Sequence, residues 1–225
     1  MTHLAPSHRS QLRQVPPYLA GLGVVALGVA VVLAIGWALG RWPVAFDRAI
    51  LVGLREWGGP PWLRGAAVNV TAVGSPTVLT LATIAAVVLL LAARHRLAAL
   101  VAVLAASSGG MAITLIKHVV ARPRPTLVEH WVTVHDLSFP SGHSASSAVI
   151  YLTLAALATQ VVRGRALRRT IMALAVILVG MIGLSRVYLG VHWPSDVLAG
   201  WSLGTAWALG WWLATAGMRT SLRGE

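Results

Sequence analysis

Three short polar clusters interrupt a very oily chain, and their residue types point to phosphate chemistry. They read KHVVARPRP (117–125), FPSGHS (139–144) and SRVYLGVHWPSD (185–196). Together they supply the cations Lys117, Arg122, Arg124 and Arg186, the titratable bases His143 and His192, and the carboxylate Asp196. Fixed cations converging on one point suit a multiply charged tetrahedral anion, because Arg offers a planar donor fork and Lys a compact charge. Ser141-Gly142-His143 stands just before an apolar run, and Pro194 suits the first position of a helix. Two helix starts therefore offer backbone N–H groups to the same anion, and Gly142 lets the backbone come close. A clamp of this kind only binds. Two histidines add the means for turnover, since phosphoryl transfer needs a nucleophile and a proton donor for the leaving group. Asp196, four residues after His192, is placed to accept a ring N–H and fix the tautomer. His143 has no carboxylate close in sequence, which suits an acid. Each cluster alone has an ordinary explanation as a snorkelling cation, a solvated histidine or a loop-to-helix signal. Their joint appearance on one face of one protein is what those explanations fail to cover.

The elements that must position these residues are membrane helices. Only 11% of the 225 residues are charged, against roughly 25% in a water-soluble domain, and the mean hydropathy is +0.76. Residues 18–40, 65–93, 97–116, 144–162 and 197–218 contain no Asp, Glu, Lys or Arg. Each is long enough to span, which takes about 17–25 residues. Residues 170–185 form a shorter run that Arg186 can extend by snorkelling. The expectation is an all-α polytopic protein whose six transmembrane helices form one bundle over 18–218, between polar tails at 1–17 and 219–225. The first apolar run exceeds the roughly 7–15 residues of a signal-peptide core and is read as a span. Between Arg41 and Arg64, Phe46, Ile50, Leu51, Leu54 and Trp57 recur at helical spacing, with Asp47, Arg48, Arg55 and Glu56 at other positions. This fits a short helix lying in the membrane interface, closed by GGPP at 58–61, with an ordinary loop as the alternative.

Alternating the spans puts the N-terminus, the 94–96 turn, the 163–169 turn and the C-terminus on one side, with ten Lys and Arg. The other side holds eight, four of which belong to the polar clusters. The positive-inside bias then predicts cytoplasmic termini and clusters facing the outer interface of the cell membrane. Trp42, Trp57, Trp62, Trp131 and Trp193 are expected in that interface. The net charge of +12 lies in short loops rather than a separate basic domain, so no nucleic-acid partner is expected. Cysteine is absent, which excludes disulfides and thiolate metal sites, and no dense carboxylate cluster suits magnesium. No metal or cofactor is expected. His118, Glu129, His130, His135 and Asp136 are read as a solvated rim or lid, and Asn69 and Thr71 as helix-packing polar residues.

Lys117 followed after six residues by Arg124-Pro125, then Pro140-Ser141-Gly142-His143, then Ser185-Arg186 followed by His192 and Asp196 make an ordered triple. It resembles the tripartite signature of the type 2 phosphatidic acid phosphatase superfamily, complete at every signature position. The resemblance implies that His192 attacks phosphorus to form a phosphohistidine, oriented by Asp196, and that His143 protonates the departing lipid oxygen. It implies that Lys117, Arg124 and Arg186 hold the phosphate oxygens with Ser141 and the Gly142 backbone, without a metal. Arg122 falls outside the signature. The implied substrate is a lipid phosphate or diphosphate, undecaprenyl diphosphate first, with phosphatidylglycerophosphate and phosphatidic acid as alternatives. A non-catalytic lipid-phosphate binding or translocating protein, and a vanadate-dependent haloperoxidase sharing the signature, are the more remote readings.

Overall fold

The computed structural model describes residues 16–40 and 44–215, and among these every regular element is helical. The two predicted tails lie almost wholly outside the described residues, as does Trp42. The helices in chain order are α1 (Pro17–Leu39), α2 (Ala45–Trp57), α3 (Pro61–Val73), α4 (Pro76–Ala92), α5 (Arg96–Val120), α6 (Gly142–Ser147), α7 (Thr153–Val161), α8 (Arg165–Tyr188) and α9 (Pro194–Ala214). A π-helical turn, Ala148–Leu152, joins α6 to α7, so 142–161 forms one continuous apolar helix.

Four helices are long and apolar enough to cross a membrane: α1, α5, the α6–α7 unit and α8. The span expected over 65–93 is a bent pair, α3 and α4, with a 48° break between them. Its cause is local. Gly74 closes α3, the Ser75 hydroxyl accepts from the Val78 N–H at 3.4 Å, and Pro76 starts α4. The Tyr151 hydroxyl donates to the Val73 carbonyl at 2.8 Å, satisfying an acceptor that the break leaves over. A Cβ on Gly74 would stand 2.5 Å from Ile182 Cγ2 and 3.4 Å from His143 Cδ2, so the bend presses on α8 beside a site histidine.

The sixth expected span also differs. Helix α9 has 21 residues but is not apolar enough to count among the candidate spans. The reason is its place in the bundle, against α1, α6 and α8 at once. A Cβ on Gly200 would approach the Ser141 carbonyl oxygen to 2.9 Å, and one on Gly204 would approach that of Ala145 to 2.5 Å. The Gly200-x-x-x-Gly204 face therefore lets α9 and α6 pack backbone to backbone, which large apolar side chains would prevent. The core cluster of Val32, Ile113, Ile116, Phe139, Ala145, Ala199 and Leu203 joins α1, α5, α6 and α9.

Two segments close one end of the bundle. The connector 121–141 follows α5, whose end is capped by Ala121 in the left-handed conformation. The 189–193 turn joins α8 to α9. Trp131, Val132 and Val134 of the connector pack on Ala67, Tyr188, Leu189 and Val191, and the Trp131 N–H donates to the Leu189 carbonyl at 3.0 Å. The connector is thus held against the turn that carries His192. The stretch read as an interfacial helix is a helix, α2, with Asp47 and Leu51 buried and Phe46 and Trp57 exposed.

Candidate active site

Helix ends and the two closing segments supply every signature side chain. Lys117 lies in the last turn of α5, which runs on to Val120 beyond the end expected for that span, and Arg124 follows in the connector. His143 stands in the first turn of α6, Arg186 in the last turn of α8, His192 in the α8–α9 turn and Asp196 in the first turn of α9.

His192 is buried, with its two ring nitrogens in opposite surroundings. Nε2 lies 3.1 Å from Arg124 Nη1. A guanidinium can only donate, so Nε2 carries the lone pair and the ring proton sits on Nδ1. Nδ1 faces Asp196 Oδ2 and the Ser138 hydroxyl, each at 3.5 Å. Burial, then the charges of Arg124, Arg186 and Lys117, push the His192 pKa well below its ordinary value. The ring is therefore neutral, and its Nε2 lone pair points at Arg124. That is the state a nitrogen nucleophile requires.

Asp196 is fully buried and held from three directions. Oδ2 accepts from the Trp193 N–H at 3.0 Å and from the Ser138 hydroxyl, while Oδ1 accepts from Arg122 Nη1 at 2.7 Å. The Ser141 N–H donates to the Asp196 main-chain carbonyl at 3.0 Å, which ties the start of α6 to that of α9. The Ser141 side chain is itself engaged, accepting from the Ser144 hydroxyl at 3.0 Å. A Cβ on Gly142 would make ordinary contact with Lys117 Cε at 3.6 Å, which sets the start of α6 against this cation.

Lys117 and Arg124 close on one carboxylate. Lys117 Nζ lies 2.9 Å from Asp136 Oδ2, and Arg124 Nη2 donates to Asp136 Oδ1. Arg124 also donates through Nε to the Asp136 carbonyl at 2.7 Å and through Nη1 to the Val191 carbonyl at 2.6 Å. Burial raises the Asp136 carboxyl, but the Lys117 hydrogen bond and the charges of Lys117 and Arg124 outweigh it and hold the group well below the usual carboxylate range. Asp136, expected as a solvated rim residue, keeps 60% of its side chain exposed while pairing with both signature cations.

Arg186 is buried, donates through Nη1 to Thr71 Oγ1 at 2.9 Å, and leaves its Nε without a partner. Thr71, expected as a packing residue, thus orients a site cation. His143 is half-buried and, among the described residues, forms no ion pair. No group of three or more His, Cys, Asp or Glu side chains converges among the described residues. Trp193 departs from the sequence reading. It is buried rather than interfacial, donates to the Pro123 carbonyl at 3.1 Å, and lies under the Arg122 guanidinium.

The signature gives no role to Arg122, Asp47 or Ser195, yet the three meet beside Asp196. Arg122 and Asp47 are both 0% exposed and joined at 2.7 Å. One signal marks Asp47 in the sequence: it stands one turn before Leu51, on the apolar stripe of α2 rather than its polar side.

A sizeable apolar cavity lies elsewhere. An apolar space of about 590 Å³ lies among α2, α3, α8 and α9, lined by Ile50, Leu54, Trp62, Leu184, Val187 and Leu198 among others. No charged or histidine side chain lines it, so the cavity and the polar site are neighbours sharing α8 and α9 rather than one pocket.

The model of the PAP2 superfamily matches residues 96–219. The chain is 36% identical over 93 residues to phosphatidylglycerophosphatase B of Bacillus subtilis, covering 40% of this chain and 44% of the relative. It is 41% identical over 93 residues to decaprenylphosphoryl-5-phosphoribose phosphatase of Mycobacterium tuberculosis, covering 40% and 46%. It is 35% identical over 85 residues to the undecaprenyl-diphosphatase of Sulfolobus acidocaldarius, covering 37% and 32%. The matched stretches thus span less than half the length of these curated relatives. The crystal structure of a transmembrane PAP2-type phosphatidylglycerolphosphate phosphatase from Bacillus subtilis superposes with a TM-score of 0.71 at 23% identity, over 93% of this chain and 99% of that one. That likeness carries the fold.

Proposed function

The chain belongs to the PAP2 superfamily, and from that premise we propose that it hydrolyses phosphate or diphosphate esters of membrane lipids through a phosphohistidine on His192. The observation that carries this reading is the closure of Lys117 and Arg124 on one carboxylate, with Arg124 also at the Nε2 lone pair of His192. A phosphate taking the place of the Asp136 carboxylate meets the same donors beside the same lone pair.

In the first step Nε2 forms a bond to phosphorus as the bond to the lipid oxygen breaks, and His143 gives that oxygen its proton. Lys117, Arg124 and Arg186 balance the charge on the phosphoryl oxygens, and the unpaired Nε of Arg186 is a donor available for this. Ser141 and Gly142 add the backbone at the start of α6. Asp196 faces Nδ1–H and balances the cationic ring that forms. In the second step water attacks phosphorus and passes its proton to His143. The P–N bond breaks, phosphate leaves, and His192 returns neutral. Fixed cations supply the charge stabilisation a metal otherwise gives, so the reaction is metal-independent.

The apolar cavity along α8 and α9 supports a lipid substrate, since it offers a tail a place next to the polar site. Undecaprenyl diphosphate is the first candidate, supported by the name of one relative; phosphatidylglycerophosphate and phosphatidic acid follow. The charge bias supports a site at the outer leaflet with both termini cytoplasmic. Reporter fusions at the 94–96 turn and the 126–139 loop should then report opposite sides. The purified protein should release phosphate from these three lipids with a chelator present, fastest from undecaprenyl diphosphate. Release from none of them would leave a binding protein, and activity restored only by magnesium would refute the metal-free mechanism.

A further inference from the structure

We infer that Asp47 and Arg122 are positioning residues for the reaction, holding the Asp196 carboxylate in orientation while leaving its negative charge available to His192. The inference rests on the assignment of His192 as nucleophile with Asp196 as its partner.

Arg122 divides its donor fork. Nη1 donates to Asp196 Oδ1 at 2.7 Å and to the Ser195 hydroxyl at 2.7 Å, and Nη2 donates to Asp47 Oδ2 at 2.7 Å. Asp47 is fixed in turn by the start of α9, accepting from the Ser195 N–H at 2.9 Å and from the Ser195 hydroxyl at 2.6 Å. All three ionic side chains are 0% exposed, so no solvent screens them.

The division has a chemical consequence. An Arg beside a lone carboxylate closes on it with two parallel bonds and neutralises it. Here the second half of the fork is taken by Asp47, so Asp196 receives one Nη on Oδ1, while Oδ2, held by the Trp193 N–H and the Ser138 hydroxyl, stays on the side facing His192 Nδ1 at 3.5 Å. Two carboxylates share one guanidinium, which leaves the set net negative next to the ring that turns cationic when Nε2 bonds phosphorus. Removing the Asp47 charge concentrates Arg122 on Asp196 and frees the carboxylate to turn toward it. The nucleophile is then both less well aimed and less well stabilised. Since α2 carries Asp47, this helix becomes part of the catalytic framework rather than only a membrane-facing element.

Asp47→Asn tests this, measured on a lipid phosphate and on soluble p-nitrophenyl phosphate, beside His192→Ala. The expected result is a kcat lowered on the order of 10- to 100-fold, the scale of a misplaced reacting group. KM should stay within about threefold, with equal loss on both substrates, because the defect lies at the nucleophile. In an Asp196→Asn background Asp47→Asn should cost nothing more, since its effect passes through Asp196. If Asp47→Asn cannot be purified folded, Arg122→Lys must show the same split, because one ammonium cannot serve both carboxylates in this geometry. A folded Asp47→Asn with unchanged kcat would overturn the inference. So would a loss confined to lipid KM, or one that adds in full to Asp196→Asn. Substantial turnover by His192→Ala would instead overturn the nucleophile assignment, whatever Asp47→Asn does.

Discussion

The two halves of the site are built on opposite plans. Around His192 the chain is closed: His192, Asp196, Ser138, Arg122 and Asp47 are all buried, and hydrogen bonds fix both carboxylates. Around Asp136 and His143 it is more open, although Lys117 is itself buried. Asp136 is mostly exposed, and His143 is half-buried and, among the described residues, without an ion partner. Desolvating ions costs several kcal/mol each, a cost justified where a group must not move. An entry point for phosphate and an exit for the leaving group need the reverse. On the proposed mechanism the contrast is a division of labour: the buried half aims the nucleophile, and the more open half handles what comes and goes.

The largest effect expected from the open half separates the two histidines. His143→Ala should lose about 10²- to 10⁴-fold on lipid phosphate, the usual contribution of a positioned acid. On p-nitrophenyl phosphate, whose phenolate leaves without needing a proton, the loss should be far smaller. Parallel rate measurements on the two substrates check this. Equal losses would place His143 with the buried half and erase the distinction.

A smaller effect is expected at Asp136. Its pairs with Lys117 and Arg124 are partly exposed, and such pairs contribute about 0.2–1 kcal/mol each. Asp136→Asn frees both cations for phosphate, so competitive inhibition by inorganic phosphate should tighten a few-fold. Unchanged or weaker inhibition would show that the carboxylate does not occupy the anion's place.

The smallest effect is expected on the acid side of the pH profile. A base whose pKa is lowered stays neutral until the pH falls through the lowered value. With burial and three cations depressing His192, kcat/KM should show no acid limb from this ring near its ordinary value of about 6.5. A limb at that value, lost in no other variant, would mean that the ring titrates as if exposed.

How much of this was legible in the sequence follows the same division. Lys117, Arg124, His143, Arg186, His192 and Asp196 stand out because each is polar at the end of an apolar run. Asp47 and Arg122 do not, since they lie 75 positions apart and only the packing of α2 on the start of α9 brings them together. Asp136 sits in a loop where nothing local in the sequence sets it apart from a solvated residue. The helices show a parallel limit. Apolar runs identify helices that face lipid, but α9 faces other helices and carries Gly200, Gly204 and Gly210 for close approach, so its apolarity falls short of a lipid-facing span. The bend at Gly74-Ser75-Pro76 has a clear local cause, yet a window over 65–93 averages it away.

The most direct test of the central claim is to trap the enzyme during turnover of a substrate labelled on its phosphorus. A bond to Nε2 predicts protein-bound label that survives alkali, is lost in acid, and maps to the peptide containing His192. His192→Ala should show neither label nor turnover. Label on another residue, or substantial hydrolysis by His192→Ala, would contradict a covalent reaction through His192.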